Sequence, residues 1–179
     1  MMKRSELIER SKEFLKKACI AVREDEFENM DVSDLGLGMP EKIGVQIIVY
    51  VNNDRYCAKE IVMLPRQIVP EHLHPPVPEK NYPGKMETFR CRWGTVYLYV
   101  EGEPTENPKA EIPEERKEYF TVWHEIILKP GDQYTIPPNT KHWFQAGDEG
   151  AVVSEFSSPS YDEYDVFTDP DIDRLAELE

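Results

Sequence analysis

Residues 71–94 read EHLHPPVPEKNYPGKMETFRCRWG, and this stretch indicates a metal site built on β-strands. His72 and His74 are two of only four histidines in the chain and stand at positions i and i+2. On a strand, side chains two residues apart leave the same face about 7 Å apart, so both imidazoles can converge on one ion. The pair alone is weak evidence, because two surface histidines can share this spacing by coincidence.

Two further features support a metal site. Glu87 begins a segment that ends at Gly94, where we expect a hairpin turn, so Glu87 can lie beside the histidine strand. In residues 129–142, KPGDQYTIPPNTKH, the prolines fix φ and Asn139 tolerates the left-handed region, so this bend can direct His142 inward. Three histidines and one carboxylate suit a divalent Mn, Fe, Co, Ni or Zn ion. In an octahedral complex they leave two positions for a chelating substrate.

From residue 44 the chain is patterned as a β protein. Its short segments are rich in β-branched and aromatic residues: GVQIIVYV, YCAKEIVML, QIVPEHLH, METFRCRW, TVYLYV, YFTVWHEIIL, DQYTI, KHWFQAG and AVVSEFSS. Such segments, separated by turns and without helices between them, predict a mainly β fold, an antiparallel sandwich or barrel.

The rest of the chain completes one predicted domain. Apolar residues at helical spacing predict an amphipathic helix over 5–20, and the acidic segment 23–42 is expected to be a connecting loop. The β core then spans 44–157, and residues 158–179 are expected to pack back on the body. A length of 179 residues agrees with a single domain.

Composition excludes several classes of partner. The formal net charge of -14 argues against nucleic acid or an anionic membrane, both of which require clustered Lys and Arg. Three well-separated cysteines predict neither a disulfide framework nor a CxxC zinc site. The first residues contain no continuous apolar segment, and no apolar stretch reaches about 18 residues, so we expect no secretory signal and a cytoplasmic protein.

The two histidine segments resemble the motifs of the cupin superfamily, a jelly-roll fold. The first motif reads His72-x-His74 … Glu87-x6-Gly94, and the second reads Gly131-x5-Pro137-Pro138-Asn139-x2-His142. The sequence departs from the family pattern at Arg66 and Asn139, where glycines are usual, and at Ala146, where an asparagine is usual. The gap before Glu87 is also longer than usual, which leaves Glu79 as a rival ligand. Glu87 is preferred because it alone keeps the spacing to Gly94.

A narrower resemblance is to the D-lyxose isomerase family of cupins. It is carried by EHLHPP, GKMETFRCRWGTVYLYVEGEPT, IPPNTKHWFQAG, SEFSS and YDVFTDPDI, within residues 68–170. The resemblance implies isomerisation of D-lyxose to D-xylulose, and also of D-mannose to D-fructose, by proton transfer through a metal-chelated cis-enediolate. It also implies manganese as the metal, a free sugar as the substrate, and a homodimer.

This chemistry needs a general base over the C1–C2 bond. Glu155, in the apolar segment AVVSEFSS, is the candidate base, since an inward glutamate on such a strand requires a reason. If Glu155 faced solvent instead, its position would need no functional explanation. Lys85, two residues before Glu87, can donate to a substrate oxygen, although it can equally be an ordinary loop lysine.

Several other residues are candidates for sugar binding. Tyr97, Trp143 and Phe144 can stack on a sugar, or they can simply be core aromatics. Arg90 can bind hydroxyls or a phosphate, and Asp165 can bind a distal hydroxyl or cap a turn. His124 is expected to be structural. The alternative functions are a cupin phosphosugar isomerase, an iron dioxygenase and a non-catalytic sugar-binding cupin.

Overall fold

The protein is described by a computed structural model over residues 2–176 and 178. Its helices and strands are α1 (Arg4–Lys17), α2 (Glu24–Glu28), β1 (Asp31–Ser33), β2 (Val45–Asn52), β3 (Cys57–Met63), β4 (Ile68–Leu73), β5 (Glu87–Val100), β6 (His124–Leu128), β7 (Gln133–Ile136), β8 (His142–Ser157) and β9 (Val166–Phe167). Short 3-10 turns span Pro78–Lys80, Glu114–Tyr119 and Asp162–Tyr164.

The strands form one antiparallel sheet that is organised around the long strand β8. Its first half pairs with β4 and its second half with β3, while β5 runs antiparallel to both halves. Bulges interrupt the β5–β8 register between Cys91 and Trp93 and between Gly94 and Val96, and bulges of this kind let a sheet curl. The predicted mainly β, antiparallel fold with an N-terminal helix is confirmed.

Both faces of the sheet bury apolar side chains, because successive residues of a strand point to opposite faces. Ile61 and Val153 pack inside the barrel, whereas their neighbours Val62 and Val152 pack outward. The outward pair contacts a cluster that contains Leu7, Phe14 and Leu15 of α1. The amphipathic helix therefore covers one outer face. A separate apolar cluster, which contains Ile61 and Val153, fills the interior.

Two predictions for the N-terminal region were wrong, the end of the first helix and the assignment of residues 23–42 as a loop. α1 ends at Lys17 rather than at residue 20, because Cys19 adopts a left-handed φ of 56° that a helix cannot continue. The segment 23–42 is not only a loop, since it contains α2 and β1. Phe27 of α2 is buried, and this short helix is anchored by that one apolar side chain in an otherwise acidic sequence.

Gly94 does not make the expected hairpin turn. β5 continues through it as a single strand to Val100. Gly94 has φ +75°, and a Cβ at this position would lie 2.1 Å from the carbonyl oxygen of Gly150. The glycine is therefore required for a bulge at which two backbones approach closely.

The C-terminal segment lies across the β1 edge of the barrel. Arg174 forms ion pairs with Asp31 at 2.6 Å and with Asp162 at 2.9 Å. The Ser33 hydroxyl donates to the carbonyl oxygen of Ala176 at 2.8 Å. Of the predicted segment 158–179, residues 177 and 179 lie outside the described range. No helix among the described residues has the length and apolar character needed to span a membrane.

Candidate active site

Three buried histidines converge inside the barrel. His72 lies on β4, His74 directly follows that strand, and His142 begins β8 directly opposite His72. One nitrogen from each ring lies within 4.8 Å of the others. The i, i+2 spacing therefore places both rings of the pair on one face, and the β4–β8 register supplies the third ring.

Each of the three rings is oriented by a hydrogen bond at Nδ1. His72 donates to the Pro70 carbonyl oxygen at 2.8 Å, and His142 donates to the Thr140 carbonyl oxygen at 2.9 Å. His74 Nδ1 lies 2.5 Å from the Asp165 carboxylate. In the neutral form of each ring, these acceptors place the proton on Nδ1 and leave Nε2 with a free lone pair, which is the arrangement that metal-binding histidines need.

Glu87 completes the cluster from the start of β5. Its Oε1 lies 2.8 Å from His142 Nε2 and 3.4 Å from His74 Nε2, yet none of these three buried atoms makes an aligned hydrogen bond within the described residues. Buried polar atoms without partners are rare, and here they point at a common centre. Three imidazoles and one carboxylate fit a first-row divalent cation.

The protonation of the cluster follows from burial and from the neighbouring charges. Burial opposes ionisation of Glu87, but Lys85 and the surrounding histidines outweigh it and hold the pKa of that carboxyl well below its ordinary value. Burial, together with repulsion from His142 and His74, lowers the pKa of His72 and keeps its ring neutral. Burial would also lower the pKa of His74, but Glu87 and Asp165 outweigh it and raise this pKa to about 9, so a cation that binds Nε2 must displace its proton.

Lys85 connects the histidine cluster to a second buried carboxylate, Glu155. Its Nζ lies 2.7 Å from Glu87 Oε2 and 2.5 Å from Glu155 Oε1. Burial of Lys85 disfavours its charge, but the two carboxylates outweigh this and raise its pKa well above the ordinary value. Lys85 is thus a charged bridge, and it lies on the same side as Glu87, as predicted.

One cavity of about 50 Å³ is lined by His72, His74, Lys85, Glu87 and Glu155. This volume holds roughly four water molecules. Its apolar wall includes Ile47, Val69, Phe89, Phe144 and Phe167.

Comparison with known proteins identifies the family. No family model matches the chain. A D-lyxose ketol-isomerase of Thermofilum sp. is 64% identical over 177 residues, 97% of each chain. A D-lyxose/D-mannose isomerase of Thermosediminibacter oceani is 62% identical over 182 residues, 100% of this chain and 99% of the relative. The chain belongs to the D-lyxose ketol-isomerase family. It is therefore an enzyme, an aldose–ketose isomerase.

Solved structures confirm the cupin-type fold of this isomerase. The L-ribose isomerase of Cellulomonas parahominis, solved with L-ribose, has a TM-score of 0.80 at 14% identity and covers 98% of this chain and 96% of its own. The E204Q variant of the Acinetobacter sp. DL28 L-ribose isomerase has a TM-score of 0.81 at 13% identity, covering 98% and 95%. At these identities the likeness establishes the fold alone.

The other candidate residues occupy different parts of the structure. Phe144 and Asp165 line the cavity, although one carboxylate oxygen of Asp165 already accepts a hydrogen bond from His74. Glu79 lies on the exposed turn Pro78–Lys80, away from the histidines, so the rival ligand is not part of the cluster. His124 is exposed on β6, where its Nδ1 contacts the Glu103 carbonyl oxygen.

The prediction that Arg90 binds sugar was wrong. Glu87 and Phe89 of β5 point into the barrel, so Arg90 points out, where it donates to Gln133 at 2.9 Å. Because Glu87 lies inside the barrel, the alternation of side chains along β5 places Arg90 on the outer face and excludes it from the cavity.

The predictions for Tyr97 and Trp143 were wrong for the same reason. Trp143 alternates with the inward residues His142 and Phe144, so it faces the opposite side and stacks on Tyr99 with ring centroids 4.0 Å apart. Tyr97 shares the face of Tyr99 and lies near the Arg66 guanidinium, 5.8 Å from ring centroid to Cζ. Aromatic residues occupy both faces of this sheet, and residue type alone does not distinguish them.

Sequence reasoning missed three charged residues that line the cavity, Lys59, Asp162 and Arg174. Lys59 carried a signal, because Cys57, Ile61 and Met63 share its parity on β3 and are all buried. A lysine at an apolar position of a strand is the type of exception that marks a functional group. Asp162 and Arg174 lie in the irregular C-terminal segment, where no periodicity indicates direction.

Proposed function

We propose that this isomerase interconverts D-lyxose and D-xylulose, and also D-mannose and D-fructose. The relatives named for these sugars, at 62–64% identity over nearly the whole chain, support this assignment. The observation that carries it is the location of Glu155, His72 and His74 in one small cavity, with His142 beside the two histidines and Lys85 between the two carboxylates.

We further propose that His72, His74, Glu87 and His142 hold a divalent metal, manganese in the native enzyme. When bound, a divalent ion supplies a Lewis acid that polarises the sugar carbonyl and makes the C2 proton more acidic. The support is the donor set itself, with its unpartnered buried atoms.

Glu155 is proposed as the general base. The reaction moves one proton from C2 to C1 and another from the C2 oxygen to the C1 oxygen, with a cis-enediolate between the aldose and the ketose. A single carboxylate over the C1–C2 bond can take the first proton and return it one carbon away. Lys85, 2.5 Å from Glu155, is placed to orient that carboxylate and to donate a hydrogen bond to a sugar oxygen.

The charges of the cavity favour a neutral sugar over a phosphorylated one. The acidic side chains outnumber the basic ones, and the basic ones are close to carboxylates. The ionisable lining residues other than histidine are Lys59, Lys85, Arg174, Glu87, Glu155, Asp162 and Asp165. A phosphate would require surplus cations. The cytoplasmic location, the homodimer and the single-domain organisation remain predictions from the sequence.

The test follows conversion of D-lyxose by proton NMR. The protein is stripped with a chelator, and Mn, Co, Ni, Fe, Zn or Mg is then added back separately, with D-mannose and a phosphorylated hexose as further substrates. We expect D-xylulose signals with manganese and none in the stripped sample. Binding of sugar without any product under every metal would instead favour a non-catalytic sugar-binding cupin.

A further inference from the structure

Lys59 is a buried cation of the cavity to which the reaction as described gives no role. It lies on β3 directly across from Glu155 on β8, and both side chains point into the barrel. Its exposed fraction is only 5%. Full burial of a lysine is rare unless its ammonium group has partners, so the contacts of Nζ require an account.

The contacts of Lys59 within the described residues are incomplete. Nζ donates one hydrogen bond, to the Ser160 hydroxyl at 3.2 Å. The carboxylates of Asp162 and Glu155 lie 3.7 and 4.0 Å from Nζ, too far for a hydrogen bond. An ammonium group has three donors, so Lys59 retains donor capacity that faces the cavity.

Lys85, by contrast, makes two close ion pairs and keeps one of its three donors. Its Nζ lies within 2.7 Å of two carboxylates, Glu87 and Glu155. The two lysines therefore flank Glu155 differently: Lys85 is held between carboxylates, whereas Lys59 stands off at 4.0 Å with donors to spare. A separation of 4.0 Å leaves room for a hydroxyl oxygen about 2.8 Å from Nζ.

We infer that Lys59 donates a hydrogen bond to the C3 hydroxyl of the sugar and determines specificity at that carbon. The inference rests on the proposed function, because Glu155 must lie near C2 to take its proton, within about 3 Å. In the proposed function the oxygens on C1 and C2 face the histidine cluster, so the hydroxyl left within reach of a donor 4.0 Å from the base is the one on C3. A charged donor to a buried hydroxyl discriminates strongly, since a sugar that lacks the hydroxyl leaves the ammonium group unpaired.

The test is a cycle between Lys59→Met and the 3-deoxy analogue of D-lyxose. For the unaltered enzyme, the analogue should lower kcat/KM about tenfold to a hundredfold, the usual effect of one hydrogen bond to a charged group. Lys59→Met should lose a similar factor on D-lyxose but lose nothing further on the 3-deoxy analogue. The 5-deoxy analogue should lower kcat/KM equally in both proteins.

Additional variants separate hydrogen bonding from charge and folding. Lys59→Gln keeps an N–H donor without the charge and should recover part of the loss on D-lyxose, and it replaces the Met variant if that protein does not fold. Lys42→Met, at an exposed lysine outside the cavity, is the matched control and should be unchanged. Metal content and thermal melting are measured for each variant.

A binding measurement keeps this inference separate from the isomerase assignment. D-arabinitol, the polyol of D-lyxose, lacks a carbonyl and cannot react, so its calorimetric affinity should fall in Lys59→Met whether or not the protein isomerises D-lyxose. An unaltered enzyme that makes no D-xylulose would overturn the proposed function instead. Equal losses on the 3-deoxy analogue in the unaltered and Lys59→Met proteins would overturn the role of Lys59.

Discussion

The Asp165 carboxylate lies 2.5 Å from Nδ1 of His74, a residue 91 positions earlier in the chain. This contact joins the C-terminal segment to the strand that carries the first two histidines. Because Asp165 accepts from Nδ1, it leaves His74 Nε2 free to bind an ion and fixes the plane of the ring.

Replacing this carboxylate should weaken metal binding without removing a ligand. For Asp165→Ala we expect the affinity for Mn²⁺ to fall about tenfold to a hundredfold, the usual cost of losing the partner of a metal-bound histidine. The measurement is competition with a chromophoric chelator. Asp148→Ala, at an exposed aspartate paired with Arg66, is the control. An unchanged affinity in Asp165→Ala would show that the contact does not orient His74 for binding.

Removing a ligand should have a larger effect. His142→Gln and Glu87→Gln are each expected to reduce bound metal to below about a tenth of an equivalent after gel filtration, since a four-ligand site loses its chelate geometry with any member. Metal is quantified by elemental analysis. His124→Gln, the exposed histidine on β6, should retain a full equivalent. A Glu87→Gln protein with full metal content would remove Glu87 from the ligand set.

Glu155→Gln should abolish chemistry while it preserves the metal. The amide has nearly the same shape but cannot take a proton, so kcat should fall about 10²- to 10⁴-fold with metal content unchanged. Glu79→Gln, on the exposed turn, serves as the control and should retain full activity. Loss of metal together with activity in Glu155→Gln would make Glu155 part of the metal site rather than the base.

Asp162 should make stability depend on pH. Its burial opposes ionisation, but Lys59 and Arg174 outweigh it, so the folded-state pKa lies below the ordinary value of 3.8. The ionised form therefore stabilises the fold above pH 3.8, and this contribution is lost as the pH falls below that value. Urea denaturation should show that Asp162→Asn costs about 1–3 kcal/mol at pH 7 and less at pH 3.

The control for this experiment is Asp54→Asn, at an exposed position between β2 and β3, which should leave the free energy of unfolding unchanged at both pH values. A cost for Asp162→Asn that is equal at pH 7 and pH 3 would contradict an electrostatic origin.

The fold and the histidine cluster were predictable because each rests on strand periodicity. The i, i+2 spacing of His72 and His74 and the bend before His142 are local features, and Asn139 adopts the left-handed φ of 56° that its residue type allows. The directions of Arg90 and Trp143 were not predictable from residue type, because both faces of the sheet are partly covered. They follow from parity only after one inward residue is known.

The other side of the cavity depends on contacts between residues distant in sequence. Lys59 meets Asp162, and Arg174 meets Asp31, across a C-terminal segment with little regular structure. Nothing local in that segment specifies which side chains point inward. The one available signal was Lys59, a charged residue at an apolar position of β3. The adjacent charged residue Glu60 breaks the alternation of apolar and polar residues that would have shown which face Lys59 occupies.

The most direct test of the account is the isotope content of the product formed in D₂O. The manganese-loaded enzyme is incubated with D-lyxose, and D-xylulose is isolated and examined by NMR at C1, beside Glu155→Gln. We expect deuterium at C1 in the product of the unaltered enzyme, because a proton held by Glu155 exchanges with solvent, and almost no product from the variant. D-xylulose without solvent deuterium, formed at the same rate by both proteins, would contradict proton transfer through Glu155.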